Sequence, residues 1–229
     1  VIALLGVRSC MRNVLRQGHQ ILLNGKPLSV RGVLHWGYYP NLFSIDPSEE
    51  KIRREFTDLR AAGFNLVKVC LFMFPERFYE IADETGMLIW EEYPTWQTIP
   101  KPGDTALHKI MLREYSEWFQ LDRNHPSVIL ADLTCEGHGV DMDLLGRIFD
   151  IGKRMTGGRL MCDNSAYLNQ VNTDWYDVHI YRDLDEYYEY VEWLAGEMRG
   201  KEEIKPYLTG EDLDSDTWRD NVAIREQYM

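Results

Sequence analysis

Glu136 and Glu211 each follow an apolar run rich in β-branched or small residues, SVILADLTCE and KPYLTGE. Two carboxylic acids facing one another across a cleft lined with Trp and Tyr suit glycoside hydrolysis, one protonating the leaving oxygen while the other attacks or activates water. Other polar residues sit at equivalent places after such runs: His35 and Trp36, Glu91, Glu92 and Tyr93 with Trp96 beyond, Cys135 and His138, Asp163 and Asn164, His179 and Tyr181, and Asp212, with Lys68 inside a run of its own. The residue types rank Glu136 and Glu211 first, yet several other carboxylates qualify. Each has a plainer reading too: Lys68 as the ion-pair partner of an acid on a neighbouring strand, His179 as a hydrogen-bonded structural histidine, and Trp36, Trp90 and Trp96 as core, to which Trp90 is assigned. Cys135 as nucleophile has no base fixed beside it by spacing, and Cys135, His138 and His179 match no standard zinc pattern, so no metal is expected.

The elements that must position these groups follow a regular beat. From Leu28 onward, short apolar runs alternate with longer amphipathic stretches, which implies βαβ units and a parallel sheet. The strands are read at LSVRGV (28–33), FNLVKVCLF, MLIWEEY, SVILADL, RLMCD, YDVHIY and PYLTG (206–210). Helices fall between them: one opens near Pro47 and stops at Gly63, one ends at Gly86, and others cover about 105–124, 141–155 and 185–199. The fold class is therefore α/β, a (β/α)8 TIM barrel with seven strands present and an eighth missing, and catalytic groups in such a barrel lie at the carboxyl ends of its strands. A last amphipathic stretch, DTWRDNVAIREQYM, ends the chain. Before Leu28, ILLNGKPL places Asn24-Gly25 between extended segments, a two-residue hairpin signal, and residues 1–27 read as the end of a preceding β domain with its linker.

Composition narrows the partners. Lys plus Arg number 25 against 37 Asp plus Glu, a net charge of -12, which leaves no electrostatic footprint for a nucleic-acid backbone. No run approaches the ~18 apolar residues of a membrane span. The four cysteines are far apart with no CxxC pair, so reduced thiols are expected, a slight tilt toward the cytoplasm.

The segments LLNGKPLSVRGVLHW, GFNLVKV, YEIADETGMLIWEEYP, DRNHPSVILADLTCEG, DVHIY and KPYLTGE resemble, in order and spacing, the catalytic barrel of glycoside hydrolase family 2, the β-galactosidase, β-glucuronidase and β-mannosidase group. The resemblance runs from about Gly6 to Asp212 and implies a retaining exo-β-glycosidase preceded by an immunoglobulin-like domain. It carries the acid/base role onto Glu136 and the nucleophile onto Glu211. It places His179 and Tyr181 beside the nucleophile, where a tyrosine hydroxyl can donate to the carboxylate. His35, Trp36, Lys68, Cys135, Asp163 and Asn164 are further candidates for binding the sugar. The partners implied are a carbohydrate substrate and further domains of one longer protein, with no cofactor, and the oligomeric state stays open. Two positions depart from the pattern: Cys135 stands where the family has Asn, and Lys68 where it has Arg, whose bidentate fork an ammonium cannot reproduce. A carbohydrate-binding barrel without turnover is the alternative those departures leave.

Overall fold

The computed structural model describes residues 12–39, 42–166, 170–182, 184–199 and 203–212. A small antiparallel meander comes first: β1 (Val14–Gln17), β2 (Gln20–Leu23) and β3 (Lys26–Pro27). Its second turn is Asn24-Gly25, both with positive φ, so β2 and β3 pair directly through Leu23 and Lys26. Ile21 of β2 is buried among Leu66, Leu88, Trp90, Leu130, Leu160 and Trp175, so the meander seals the floor of the barrel.

The wall then alternates strand and helix: β4 (Gly32–His35), α1 (Glu49–Ala61), β5 (Leu66–Val69), α2 (Glu76–Thr85), β6 (Leu88–Glu92), α3 (Thr105–Asp122), β7 (Val128–Asp132), α4 (Met142–Met155) and β8 (Leu160–Cys162). β9 (Tyr176–Ile180), α5 (Leu184–Arg199) and β10 (Tyr207–Asp212) complete it. β4 to β8 form one parallel sheet in chain order, and β9 and β10 a parallel pair. β10 and β4 are not paired among the described residues, and a cleft lined by Val30, Leu34, Tyr207 and Leu208 opens between them. Val30 and Leu208 are half-buried against the cluster around Ile21. The expected final stretch, 216–229, lies outside the described residues.

Local chemistry explains the helix bounds. The Ser48 hydroxyl accepts from the Lys51 amide, so Ser48 caps α1 and Pro47 precedes the cap rather than opening the first turn. Asp104 and Asp141 cap α3 and α4 in the same way, and Gly86 ends α2 in the left-handed conformation. Strand parity then divides the side chains. Val67 and Val69 of β5 face outward onto Ile52, Phe56, Phe78 and Ile81, while Leu66 joins the interior cluster with Trp90 and Leu130. Both faces are buried, which is why the strands read as nearly continuous apolar runs. Each such side chain contributes about 1.5–3 kcal/mol by leaving water.

Most strand ends shift by one to four residues from the sequence reading, and two of these shifts bear on the site. The first wall strand begins at Gly32 rather than Leu28, because the backbone from Ser29 to Arg31 is tied by the Asn65 side chain instead of a ladder: Asn65 Nδ2 donates to the Ser29 carbonyl and Oδ1 accepts from the Arg31 amide. The last strand runs on to Asp212, so Glu211 and Asp212 are strand residues rather than the loop that follows it.

Candidate active site

Glu211 owes its direction to a β-bulge. The β10–β9 register steps from Thr209↔Val178 to Glu211↔His179, leaving Gly210 as the extra residue. The Gly210 amide donates to Asp177 Oδ1 at 2.7 Å, and a Cβ on Gly210 would lie 2.5 Å from that oxygen, so only glycine fits. Glu211 is 6% exposed, and donors converge on it. The Tyr181 hydroxyl donates to Oε2, the Cys70 thiol lies 3.6 Å from Oε1 and 3.1 Å from Glu92 Oε2 and so shares its proton between the two acids, and Lys68 Nζ stands 4.0 Å from Oε1.

Glu136 is reached from β7 through a backbone pinned on both sides. Cys135 donates its amide to the Thr95 carbonyl and accepts at its own carbonyl from Gln97, while His138 donates to the Gln97 carbonyl. Asn164 clamps the next residue, accepting from the Gly137 amide at 2.7 Å and donating to its carbonyl at 3.2 Å. Between these anchors Glu136 is held at φ 49°, a left-handed backbone that a non-glycine residue adopts only under constraint. Its carboxylate accepts from Trp96 Nε1 at 2.9 Å and lies 3.0 Å from His179 Nδ1. The His179 contact, followed by the Trp96 bond, holds Glu136 below the usual carboxylate range against the opposing effect of partial burial.

His179 joins the two acids, since its Nδ1 is also 3.7 Å from Glu211 Oε2. The nearest oxygens of Glu136 and Glu211 can therefore be no farther apart than those two legs laid end to end. Beneath them lies an ionic floor around Lys68, which is 3% exposed. Its Nζ is 3.0 Å from Glu92 Oε1 and 3.5 Å from Asp132 Oδ2, and it sits 4.9 Å from the centre of the Trp90 ring. Burial pulls the ammonium down, but Glu92, Asp132, Asp177 and Glu211 more than offset it and hold Lys68 well above its ordinary value. Burial raises Asp177 to about 6 and pushes Asp132 well up, whereas for Glu92 burial is the largest single effect but Lys68, His179 and the Cys70 thiol together outweigh it and the net shift is downward.

Of the residues singled out by sequence, Trp36, Lys68, Cys135, Glu136, Tyr181 and Glu211 line one cleft with Trp96, and His179 borders it beside Glu136. Three others are placed differently. His35 turns outward: Nδ1 accepts from the Gly37 amide at 2.9 Å, Nε2 meets the Tyr39 hydroxyl at 3.3 Å, and Phe72 and Phe74 flank the ring, so it packs with the α1 side of the wall instead of the cleft. Asp163, fully buried, accepts from the Val171 and Asn172 amides and holds the loop ahead of β9, with burial raising it to about 6. Asn164, also fully buried, uses both ends of its amide on Gly137 and so positions the Glu136 backbone. Cys70 was missed. It stands two residues beyond Lys68, and the period of two that turns Lys68 inward was the signal available. Of the Glu91–Glu92 pair, Glu92 faces in, while Glu91 faces out to accept from Trp118 Nε1 at 2.5 Å.

Comparison with known proteins agrees with this architecture. A family model described as "Glycosyl hydrolases family 2, TIM barrel domain" matches residues 14–215. A β-galactosidase of Photobacterium profundum is 33% identical over 135 residues, 56% of this chain and 13% of that protein. A β-glucuronidase from Ruminococcus gnavus, solved in complex with a C6-substituted uronic isofagomine, superposes with a TM-score of 0.77 at 23% identity, covering 88% of this chain and 38% of its own. A family 2 β-galacturonidase from Eisenbergiella tayi, bound to galacturonate, gives 0.73 at 19% identity, with 86% and 38% covered. The chain thus spans well under half the length of these relatives. With five wall strands in one parallel sheet, two more in a parallel pair and a family match that runs nearly end to end, the chain belongs to glycosyl hydrolases family 2 as its TIM barrel domain.

Proposed function

We propose that the protein containing this barrel is a retaining exo-β-glycosidase acting on terminal β-linked sugars, with Glu211 as nucleophile and Glu136 as acid/base. The observation that carries the reading is the single His179 nitrogen lying 3.0 Å from Glu136 and 3.7 Å from Glu211, which keeps both carboxylates in one aromatic-lined cleft. Their maximum separation falls near the lower edge of the ~6.5–9.5 Å inverting range and is compatible with the ~5–5.5 Å of retaining enzymes. Glu211, with its hydroxyl and thiol donors and nearby ammonium, suits the group that must attack the anomeric carbon. Glu136, beside the exposed Trp96 indole, suits the group that serves the leaving oxygen and then activates water against the glycosyl-enzyme. Its two donors favour the carboxylate in the free protein, so protonation for the first step accompanies shielding of Glu136 by bound sugar. The placement of residues 1–27 at the end of an immunoglobulin-like domain, and further domains beyond this chain, belong to the same proposal.

The binding-barrel alternative draws on the Cys135 and Lys68 departures, to which an acid/base held deprotonated at rest adds. Activity on aryl β-galactosides, β-glucuronides and β-mannosides by the full-length protein separates the readings. Glu211→Gln abolishes glycosylation, whereas Glu136→Ala spares the first step for a good leaving group and stalls the second, leaving a burst without turnover. Equal, mild losses in both variants refute the roles.

A further inference from the structure

The cleft holds donors that sugar hydrolysis does not require. Cys135, His179 and Glu211 come from the end of β7, from β9 and from β10, and one ligand atom of each lies within 4.8 Å of the others. A second trio, Cys70, Glu92 and Glu211, meets the same criterion and shares Glu211. We propose that Cys135, His179 and Glu211 form a site for a thiophilic divalent cation of the Zn2+ or Cd2+ class, with Cys70 able to join through the far oxygen of Glu211, and that its occupancy reversibly blocks the sugar pocket.

Four observations support this. The donor set is one thiol, one imidazole and one carboxylate, three protein ligands that leave a fourth position open in a tetrahedral site. Bond lengths of about 2.0–2.3 Å at tetrahedral angles put ligand atoms about 3.4–3.6 Å apart, so closure needs inward shifts of roughly an ångström, within side-chain reach. Cys135 is 2% exposed and the His179 side chain 3%, so both donors are shielded from water, and His179 already turns Nδ1 toward Glu211, 3.7 Å from Oε2. The surroundings favour a cation, since Glu92 acts on the Cys135 thiol and Glu136 lies 3.0 Å from His179 Nδ1, against the ammonium of Lys68.

Burial and the nearby carboxylates keep the Cys135 thiol protonated, so a metal displaces that proton, releasing one H+ as the Cys135 sulfur–metal bond forms, and a second if Cys70 joins. The blocked-pocket consequence rests on the glycosidase reading above, since the metal takes the Glu211 oxygens that would face the sugar. Binding itself does not depend on it.

The test is a cadmium titration of the reduced full-length protein, followed by thiolate-to-cadmium charge-transfer absorption. The expected result is a saturable band at one equivalent, weakened at least tenfold in affinity by Cys135→Ala and unchanged by Cys162→Ala, whose thiol bonds the Asn164 carbonyl elsewhere in the wall. Zn2+ should compete for the band and inhibit aryl-glycoside hydrolysis, with a chelator restoring it. Should Cys135→Ala not fold, Cys135→Ser and cadmium NMR of the wild type replace it, a shift reporting sulfur and nitrogen ligands being expected. No saturable band, a band of equal affinity in the Cys135 variants, or an all-oxygen NMR shift overturns the proposal. A protein that binds cadmium as described but hydrolyses no glycoside instead refutes the catalytic reading and leaves the metal site standing.

Discussion

Removal of the Lys68 ammonium should be among the most costly single changes in the barrel. Lys68 Nζ stands 3.0, 3.5 and 4.0 Å from carboxylate oxygens of Glu92, Asp132 and Glu211, with every side chain in the group 4% exposed or less. Lys68→Met keeps much of the stem volume and leaves those acids without their shared cation. Breaking a buried pair from one side costs about 3–5 kcal/mol, a large part of the ~5–15 kcal/mol that holds a domain folded. At roughly 2–4 °C per kcal/mol for a domain of this size, the melting temperature should fall about 6–20 °C. The pH dependence fixes the cause. In the wild type Glu92 is shifted down, so its contribution is present above the unfolded carboxyl value of about 4.3 and is lost as pH falls through the folded value. Asp132 is shifted up and Asp177 sits at about 6, so their charged forms oppose folding at neutral pH and protonation relieves that as pH falls. In the variant all three lose their counter-charge and shift upward. The stability gap between wild type and Lys68→Met should therefore be widest near pH 7–8 and narrow toward pH 5. Urea unfolding of the full-length protein, followed by tryptophan fluorescence at several pH values, measures it. A loss below about 1 kcal/mol at neutral pH, or a gap that does not change between pH 7.5 and 5, would refute the view of Lys68 as the counter-charge of this floor.

Tyr181→Phe removes the hydroxyl that donates to Glu211 and should lower kcat/KM roughly tenfold or somewhat more on aryl glycosides, the value of one hydrogen bond to a charged group at a half-open site, with little change in melting temperature. Unchanged kinetics would detach Tyr181 from the reaction. Gly210→Ala forces a Cβ to within 2.5 Å of Asp177 and should displace the bulge, cutting kcat well over tenfold and destabilising the fold by about 1–3 kcal/mol. A fully active, equally stable variant would mean that the bulge does not aim Glu211.

The alternation of apolar strands and amphipathic helices was legible because both periods are local properties of the chain, as were the Asn24-Gly25 hairpin and the terminal glycines Gly63 and Gly86, whose positive φ is set by backbone sterics. The prominence of Glu136 and Glu211 was legible in the same way, since each closes a strand-like run and the surrounding motifs resemble one family. Which way the other candidates point was settled by tertiary structure. A strand turns alternate residues to opposite faces, and its ends are fixed by pairing partners distant in sequence: the first wall strand runs on past 33 to His35, which pairs with outward-facing Val69 and sits among Phe72 and Phe74 rather than in the cleft. Asp163 and Asn164 follow a strand as sugar ligands would, but the amides of Val171, Asn172 and Gly137 claim them, since backbone groups without a partner are costly to leave away from water. Cys70 and the bulge at Gly210 enter the site only when β5, β9 and β10 curve toward one interior, where Lys68 gathers acids from four other strands. The charge balance around a buried cation depends on distances through space, and these are fixed only once the strands have assembled around it.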